Sequence, residues 1–191
     1  ETHPVFNQPT ALENFNTYLS DTALQYWVKA YSGDWAEEQL IAYGERCGGD
    51  LIEAGFQANE NKPEFYPHDR FGKRIDLAKF HPAYHELMRT AIEADMHSLP
   101  WKSDKKGAHV ARAGMVYQHM NADAGSGCPL TMTFAAVPAL QHAPEVAKEW
   151  LPKIMAPVYD ERNVPYFDKK GVTIGMAMTE KQGGSDVRAN T

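Results

Sequence analysis

The sequence predicts a mainly α-helical fold that closes on a single β-strand. Three observations carry the prediction. Apolar residues recur at helical spacing in about six segments between Asp21 and Met155. Aspartate, proline and glycine stand where those segments start and stop. Only at Val172 does the apolar period change from helical to two. Helices followed by one strand, rather than strands alternating with helices, describe a helical domain with the entry into a β-domain.

Residues 1–20 hold two prolines and no helical period, so they read as an extended arm. Val5, Phe6, Leu12, Phe15 and Tyr18 are too apolar for a free tail, and the arm is expected to lie on the body of the protein. Asp21 and Asp34 are good N-caps for helices over 23–30 and 36–47. Gly48 and Gly49 end the second of these, and Asp50 can cap a third with Leu51, Ala54, Gly55 and Ala58 on one face. The stretch NKPEFYPHDRFGKRIDLAKF, residues 61–80, reads as an irregular excursion or as a small hairpin around DRFGKR.

Pro82 suits the first turn of a helix running to about Leu99, with Tyr84, Leu87, Met88, Ala91, Ile92 and Met96 as its apolar stripe. A helix over 108–123 is expected to turn Val110, Ala113, Gly114, Tyr117 and Met120 inward. Pro129 can start the next, with Leu130, Phe134, Val137 and Ala139 buried, and Pro138 should kink or end it because it cannot donate to the carbonyl of Phe134. Pro144 starts a short helix to Met155, and residues 157–170 form a polar loop. The division is therefore an arm over 1–20, a helical domain over 21–158, and a linker with the start of a β-domain over 159–191. The chain opens without a methionine or signal pattern and stops inside a polar loop, so boundaries within a longer protein are expected at both ends.

A chain of 191 residues that is 43% hydrophobic and 23% charged can bury a sizeable core. Its net charge of -6 and the lack of any long basic run argue against phosphate-backbone binding by this segment. No apolar run approaches the roughly 20 residues that span a bilayer, so no membrane partner is expected. Cys47 and Cys128 match no metal or redox spacing, and free thiols point to the cytoplasm. Cys128 reads as a buried small hydrophobe, since a thiol enzyme would need a base brought near it in space. His81 and His85 share a helix face, but Pro82 replaces the glutamate of a zinc-protease helix and no third ligand is implied, so no metal is assigned.

The stretch GVTIGMAMTEKQGGSD, residues 171–186, is different because independent features coincide. Val172, Ile174, Met176 and Met178 point one way along the strand; Thr173, Gly175, Ala177 and Thr179 point the other. The small-residue face lets a planar group approach the backbone, and Thr179 offers a hydroxyl and an amide to ring heteroatoms. Gly183, Gly184 and Ser185 follow in a turn whose amides can hold an anion. The order suits a ligand with a planar ring at one end and a diphosphate at the other. The competing reading is close strand packing followed by a solvent turn.

GMAMTEKQGGSDV resembles the flavin-binding signature of the acyl-CoA dehydrogenase family, and its Met-Thr-Glu-Lys-Gln-Gly-Gly-Ser-Asp-Val form is similar to the AidB branch, adaptive alkylation-response proteins related to isovaleryl-CoA dehydrogenase. CPLTMTFAA and RFGKRIDLAKFHPAYHELM are similar to that branch as well. The resemblance implies the amino-terminal helical domain of the acyl-CoA dehydrogenase fold plus the first strand of its middle β-domain. It implies FAD as cofactor, an acyl-CoA substrate, isovaleryl-CoA among the candidates, and a homotetramer. Met176 and Met178 would border the flavin ring, Thr179 its pyrimidine edge, Gly183 and Gly184 the turn, and Ser185 the pyrophosphate or the pantetheine side of the substrate. The family's catalytic glutamate belongs to a carboxyl-terminal helical domain, so no catalytic residue is assigned here and Glu180 is read as structural. The alternative within the branch is a flavoprotein or acyl-binding protein that protects DNA through the carboxyl-terminal region, or sequesters acyl groups, with little dehydrogenase activity.

Overall fold

The computed structural model of the chain describes residues 2–190. The order is α1 (Thr22–Ser32), a 3-10 turn at Asp34–Ala36, α2 (Glu37–Cys47), α3 (Asp50–Glu60), β1 (Glu64–His68), β2 (Arg74–Lys79), α4 (Pro82–Glu93), α5 (Leu99–Lys102), α6 (Ala108–Ala122), α7 (Gly127–Leu140) and α8 (Pro144–Ile154). Two further 3-10 turns follow at Tyr166–Asp168 and Val187–Ala189. The mainly helical class read from the periodicity is the one observed.

Local chemistry accounts for several boundaries. The Asp21 carboxylate accepts the Leu24 amide at 2.8 Å and starts α1. Asp34 opens the 3-10 turn instead of capping α2, and Asp50 is the first residue of α3 behind Gly49, its carboxylate taken by Arg46 at 2.7 Å. His81 caps α4 by accepting the Ala83 amide, and Pro82 takes the first helical position, where no amide is needed. α4 stops at Glu93, short of the predicted end, because Asp95 turns into the left-handed region at φ 60. α7 runs through Pro138 and ends two residues later. The carbonyl that Pro138 cannot serve, that of Phe134, accepts the Trp101 indole N–H at 3.0 Å instead.

Of the two readings of residues 61–80, the hairpin is the one that forms. β1 and β2 pair antiparallel, Glu64 with Lys79 and Tyr66 with Leu77, with an irregularity at Pro67. The Asp69 carboxylate ties the turn by accepting the amides of Phe71 and Lys73, and Gly72 supplies a φ of 79.

α6 lies at the centre, against α1, α2, α3, α5 and α7, while α3 packs on α4. Leu40, Leu51, Leu87, Met88, Met115 and Leu130 fill the space between them. At two crossings the backbones meet so closely that only glycine fits. A Cβ on Gly55 would run into the carbonyl of Ala122, and one on Gly48 into that of Phe15. That second approach docks the arm, with the Phe15 amide on the Gly48 carbonyl at 3.2 Å and the Thr17 amide on Gly44 at 3.1 Å.

Several burial expectations need correction. Phe15 and Tyr18 pack on the body, but Val5, Phe6 and Leu12 are exposed, so only the end of the arm is held. Cys128 is exposed and Cys47 is the buried thiol, since Cys128 falls on the outer side of the first turn of α7. On α6, Ala113, Tyr117 and Met120 face outward, while the polar side chains of Gln118 and His119 are completely buried. Their hydrogen bonds explain the reversal. The Thr17 hydroxyl donates to Gln118 at 2.8 Å, and the His119 ring lies 2.8 Å from the Tyr43 hydroxyl at Nδ1 and 2.7 Å from Ser126 Oγ at Nε2. A neutral imidazole accepts at one nitrogen and donates at the other, so it joins α2 to the residue that precedes α7.

Burial lowers the pKa of His119 to about 4 and that of His97, whose Nε2 faces the Ala156 carbonyl, likewise to about 4. Between about pH 6.5 and 4 the unfolded chain binds protons that the folded chain refuses, so stability rises with pH across this window. Chemical denaturation at a series of pH values is expected to show a loss of roughly 3 kcal/mol per imidazole as pH falls from about 6.5 to 4; a flat profile would refute the buried neutral rings. Gly55→Ala is expected to cost about 1–3 kcal/mol in urea denaturation. Gly114→Ala should cost less, because its Cβ meets only the side-chain tips of Leu40 and Val28 at 3.3 Å.

Candidate functional site

The candidate motif follows a segment held by two helices. Gly171 is buried so tightly beneath the Val158 carbonyl that no Cβ could be accommodated. The Val172 amide donates to the Lys153 carbonyl at the end of α8 at 3.2 Å. The Ile174 amide donates to the Thr133 hydroxyl on α7 at 3.1 Å, and that hydroxyl in turn donates to the Pro129 carbonyl at 2.7 Å. These anchors aim the segment, and beyond them it leaves the helical body.

Residues 172–179 run without a ladder partner among the described residues, so the predicted strand is present as an unpaired extended segment. Val172 and Ile174 are partly buried and Thr173 and Gly175 exposed, as the period of two requires. From Met176 onward both faces are open, with Met176 48% and Met178 62% exposed. The alternation holds from Val172 to Gly175, and among the described residues no neighbouring strand covers the bulky face beyond it.

Of the predicted site residues, a short closed turn brings Thr179, Gly183 and Gly184 together, while Met176 and Met178 lie on the extended run before it and Ser185 follows it. The Glu180 amide donates to the Gly183 carbonyl at 3.0 Å, and the Gly183 amide returns to the Glu180 carbonyl at 3.2 Å. Asn190 closes the loop from behind by donating to the Met178 carbonyl at 2.9 Å. A Cβ on Gly184 would lie 3.2 Å from the Thr179 methyl, so these two residues face each other across the turn. Among the described residues, the hydroxyls of Thr179 and Ser185 and the amides of residues 176–179, 184 and 185 have no hydrogen-bond partner. Open backbone at Gly175, free amides and two free hydroxyls in series fit a flat ring followed by phosphate. The carboxylate of Glu180 is exposed and accepts from Gln182 at 2.8 Å.

The other chemistry-bearing residues are structural. The Ser126, His119 and Tyr43 chain has the composition of a nucleophile with its base, but Ser126 and His119 have no exposed surface and Tyr43 is 5% exposed. Burial pushes the Cys47 thiol up to about 12, so it stays protonated. No cluster of metal-ligating residues occurs among the described residues. His81 is spent on its cap, and His85 bonds the Tyr159 hydroxyl through Nδ1 at 2.8 Å.

Sequence reasoning missed what surrounds that last pair. A cavity of 470 Å³ lies between β2, α4 and residues 158–173. Met88 and Ile92 form its floor, and the rings of Phe80, Tyr84, His85 and Tyr159 line its walls. Burial lowers the pKa of His85, and burial raises that of Tyr159 above the usual phenol range. Thr133 was also missed as the anchor of residue 174. Its signal was a hydroxyl on an otherwise apolar helix face.

The Adaptive response protein AidB N-terminal domain family matches this chain over residues 7–161. AidB of Escherichia coli (strain K12) is 44% identical over 194 residues, which cover 100% of this chain and 36% of that protein. Acyl-CoA dehydrogenase family member 11 of Caenorhabditis elegans is 28% identical over 151 residues, covering 78% of this chain and 24% of its own length. Among solved structures, the Bd2924 apo-form superposes with a TM-score of 0.80 at 27% identity, covering 98% of this chain and 37% of the other. Caenorhabditis elegans ACDH-11 in complex with C11-CoA shares the fold, with a TM-score of 0.75 at 22% identity over 98% of this chain and 32% of the other. The chain thus spans about a third or less of the relatives it matches. With more than half its length inside the family match and homologues that are acyl-CoA dehydrogenase family members, this chain belongs to the AidB amino-terminal domain family.

Proposed function

We propose that this chain is the flavin-facing, amino-terminal part of an FAD-dependent acyl-CoA dehydrogenase-like protein. The observation that carries the reading is the set of unpartnered amides at residues 176–179, 184 and 185 with the free hydroxyls of Thr179 and Ser185, delivered by the anchors at Lys153 and Thr133. In this reading the backbone of residues 176–178 lies along the ring. Thr179 donates from its amide and hydroxyl to the pyrimidine edge. Gly183 and Gly184 let the turn approach closely, and the Ser185 hydroxyl donates to the pyrophosphate or to the pantetheine side of an acyl-CoA. When bound, the flavin supplies a hydride acceptor for oxidation of the α,β-bond of the thioester. The base that removes the α-proton is not assigned to this chain. Assembly as a homo-oligomer, tetrameric by family resemblance, and a cytoplasmic location belong to the same proposal.

A second reading is retention of an acyl group with little turnover; ACDH-11, which shares the fold, was solved in complex with C11-CoA, and acyl-CoA binding is common to both readings. Turnover of isovaleryl-CoA and of a chain-length series, measured beside acyl-CoA binding, separates the two. DNA protection through the remainder of a longer protein is tested in parallel by a salt-dependent binding titration.

In the full-length protein, Thr179→Val and Ser185→Ala are each expected to weaken FAD binding about 10-fold, the effect of losing one hydrogen bond of about 1.4 kcal/mol. Both side chains are exposed, so thermal stability without FAD should stay unchanged. Flavin absorbance retained after gel filtration reads the effect. A full-length protein that is colourless and cannot take up FAD would end the proposal.

A further inference from the structure

The cavity between β2, α4 and residues 158–173 is separate from the flavin motif; residues 176–185 do not line it. Its interior is apolar at depth. Met88 is 1% exposed and Ile92 4%, and the rings of Phe80 and Tyr84 stack 4.4 Å apart beside them. Val158 and Val172 close the opposite wall. A space of 470 Å³ with such walls suits a compact apolar body of about 10–20 heavy atoms.

The charges at its rim are unequal in what they have left to offer. Asp76 is paired with Arg74 at 2.8 Å, Asp160 with Arg162 at 2.6 Å, and Glu161 with Arg89 at 2.8 Å. Arg162 and the Lys170 amide hold the Asp160 carboxyl well below the usual carboxylate range, so it stays an occupied anion. Lys79 and Lys169 also line the cavity, and neither has a carboxylate partner among the described residues. The Lys169 ammonium is instead held at the rim by the Asp160 carbonyl at 2.9 Å. Each rim carboxylate therefore has its cation, while two ammonium groups beside an apolar pocket have no anion. The Tyr159 hydroxyl and the His85 ring, bonded to each other, add polar edges at the wall.

We propose that this cavity binds a small amphipathic carboxylate, with its apolar body on Met88, Ile92 and the aromatic walls and its anionic head on Lys79 and Lys169. A cation would meet only carboxylates already paired. A neutral ligand would leave both ammonium groups unanswered, so the negative head is the source of selectivity. The proposal does not rest on the flavin reading.

The test uses the whole chain and titrates 2-naphthoate, followed by its own fluorescence, against the uncharged isostere 2-naphthamide. Saturable naphthoate binding is expected, with the amide at least 10-fold weaker and with affinity falling as salt rises. The double variant Lys79→Gln, Lys169→Gln should lose at least 10-fold for naphthoate and nothing for the amide. Val158→Trp, at a half-exposed wall position, should block both, with an unchanged circular-dichroism spectrum showing that the fold is kept. Equal binding of acid and amide, naphthoate affinity unchanged in the lysine variant, or no saturable binding would each overturn the proposal. If FAD uptake fails in the full-length protein while naphthoate still binds, only the flavin reading falls.

Discussion

The imidazole of His119 has to remain neutral and bonded at both nitrogens, and much of the domain depends on that. It sits on the central helix with no access to water and joins Tyr43 of α2 to Ser126, the residue before α7. A buried ring with one nitrogen unserved would cost about 1–3 kcal/mol, and a charged one more. Gln118, its neighbour in sequence, performs a similar task for the arm through Thr17. The middle of this fold is therefore a polar strip sealed inside apolar packing, and the strip determines which helices meet.

From that strip the consequences run outward to the motif. Ser126 stands at the N-terminal boundary of α7, its hydroxyl bonded to His119. α7 then holds Thr133 in the position that receives the Ile174 amide. The break that Pro138 would cause is absorbed because Trp101 reaches the Phe134 carbonyl, so the helix carrying Thr133 continues through it. α8 adds the second anchor through the Lys153 carbonyl, and the Lys153 ammonium ties the preceding loop by donating to the carbonyls of Phe167 and Lys169. Residues 172–174 are thus placed by the helical body. Residues 175–185, which carry the free donors, extend beyond it.

Glycine has a related role at the crossings. Gly48 and Gly55 permit backbone contacts that any side chain would prevent. On α6 the inward face carries Ala111, Gly114, Met115, Gln118 and His119, and Ala113, Tyr117 and Met120 are turned out. Tyr117 is not idle there, since its hydroxyl donates to the carboxylate of Asp21 at the start of α1.

Local rules in the chain were enough to specify the helical class, the cap at Asp21, the start of α4 at Pro82 with its apolar stripe and the alternation at Val172 to Gly175, and they offered the hairpin around DRFGKR as one of two readings. Each depends on neighbours within a few residues, where propensity and spacing act directly. The motif around Thr179 and Ser185 was legible for the same reason, because its residues are consecutive. Contacts distant in sequence decided the rest. The inward faces of α6, the passage of α7 through Pro138 and the cavity under Tyr159 all depend on a partner tens of residues away. A hydrogen bond with Tyr43, an indole N–H donated by Trp101 or a wall supplied by Val158 leaves no period in the sequence. Only folding brings those partners within reach, and only then does a polar side chain such as His119 become a residue of the core.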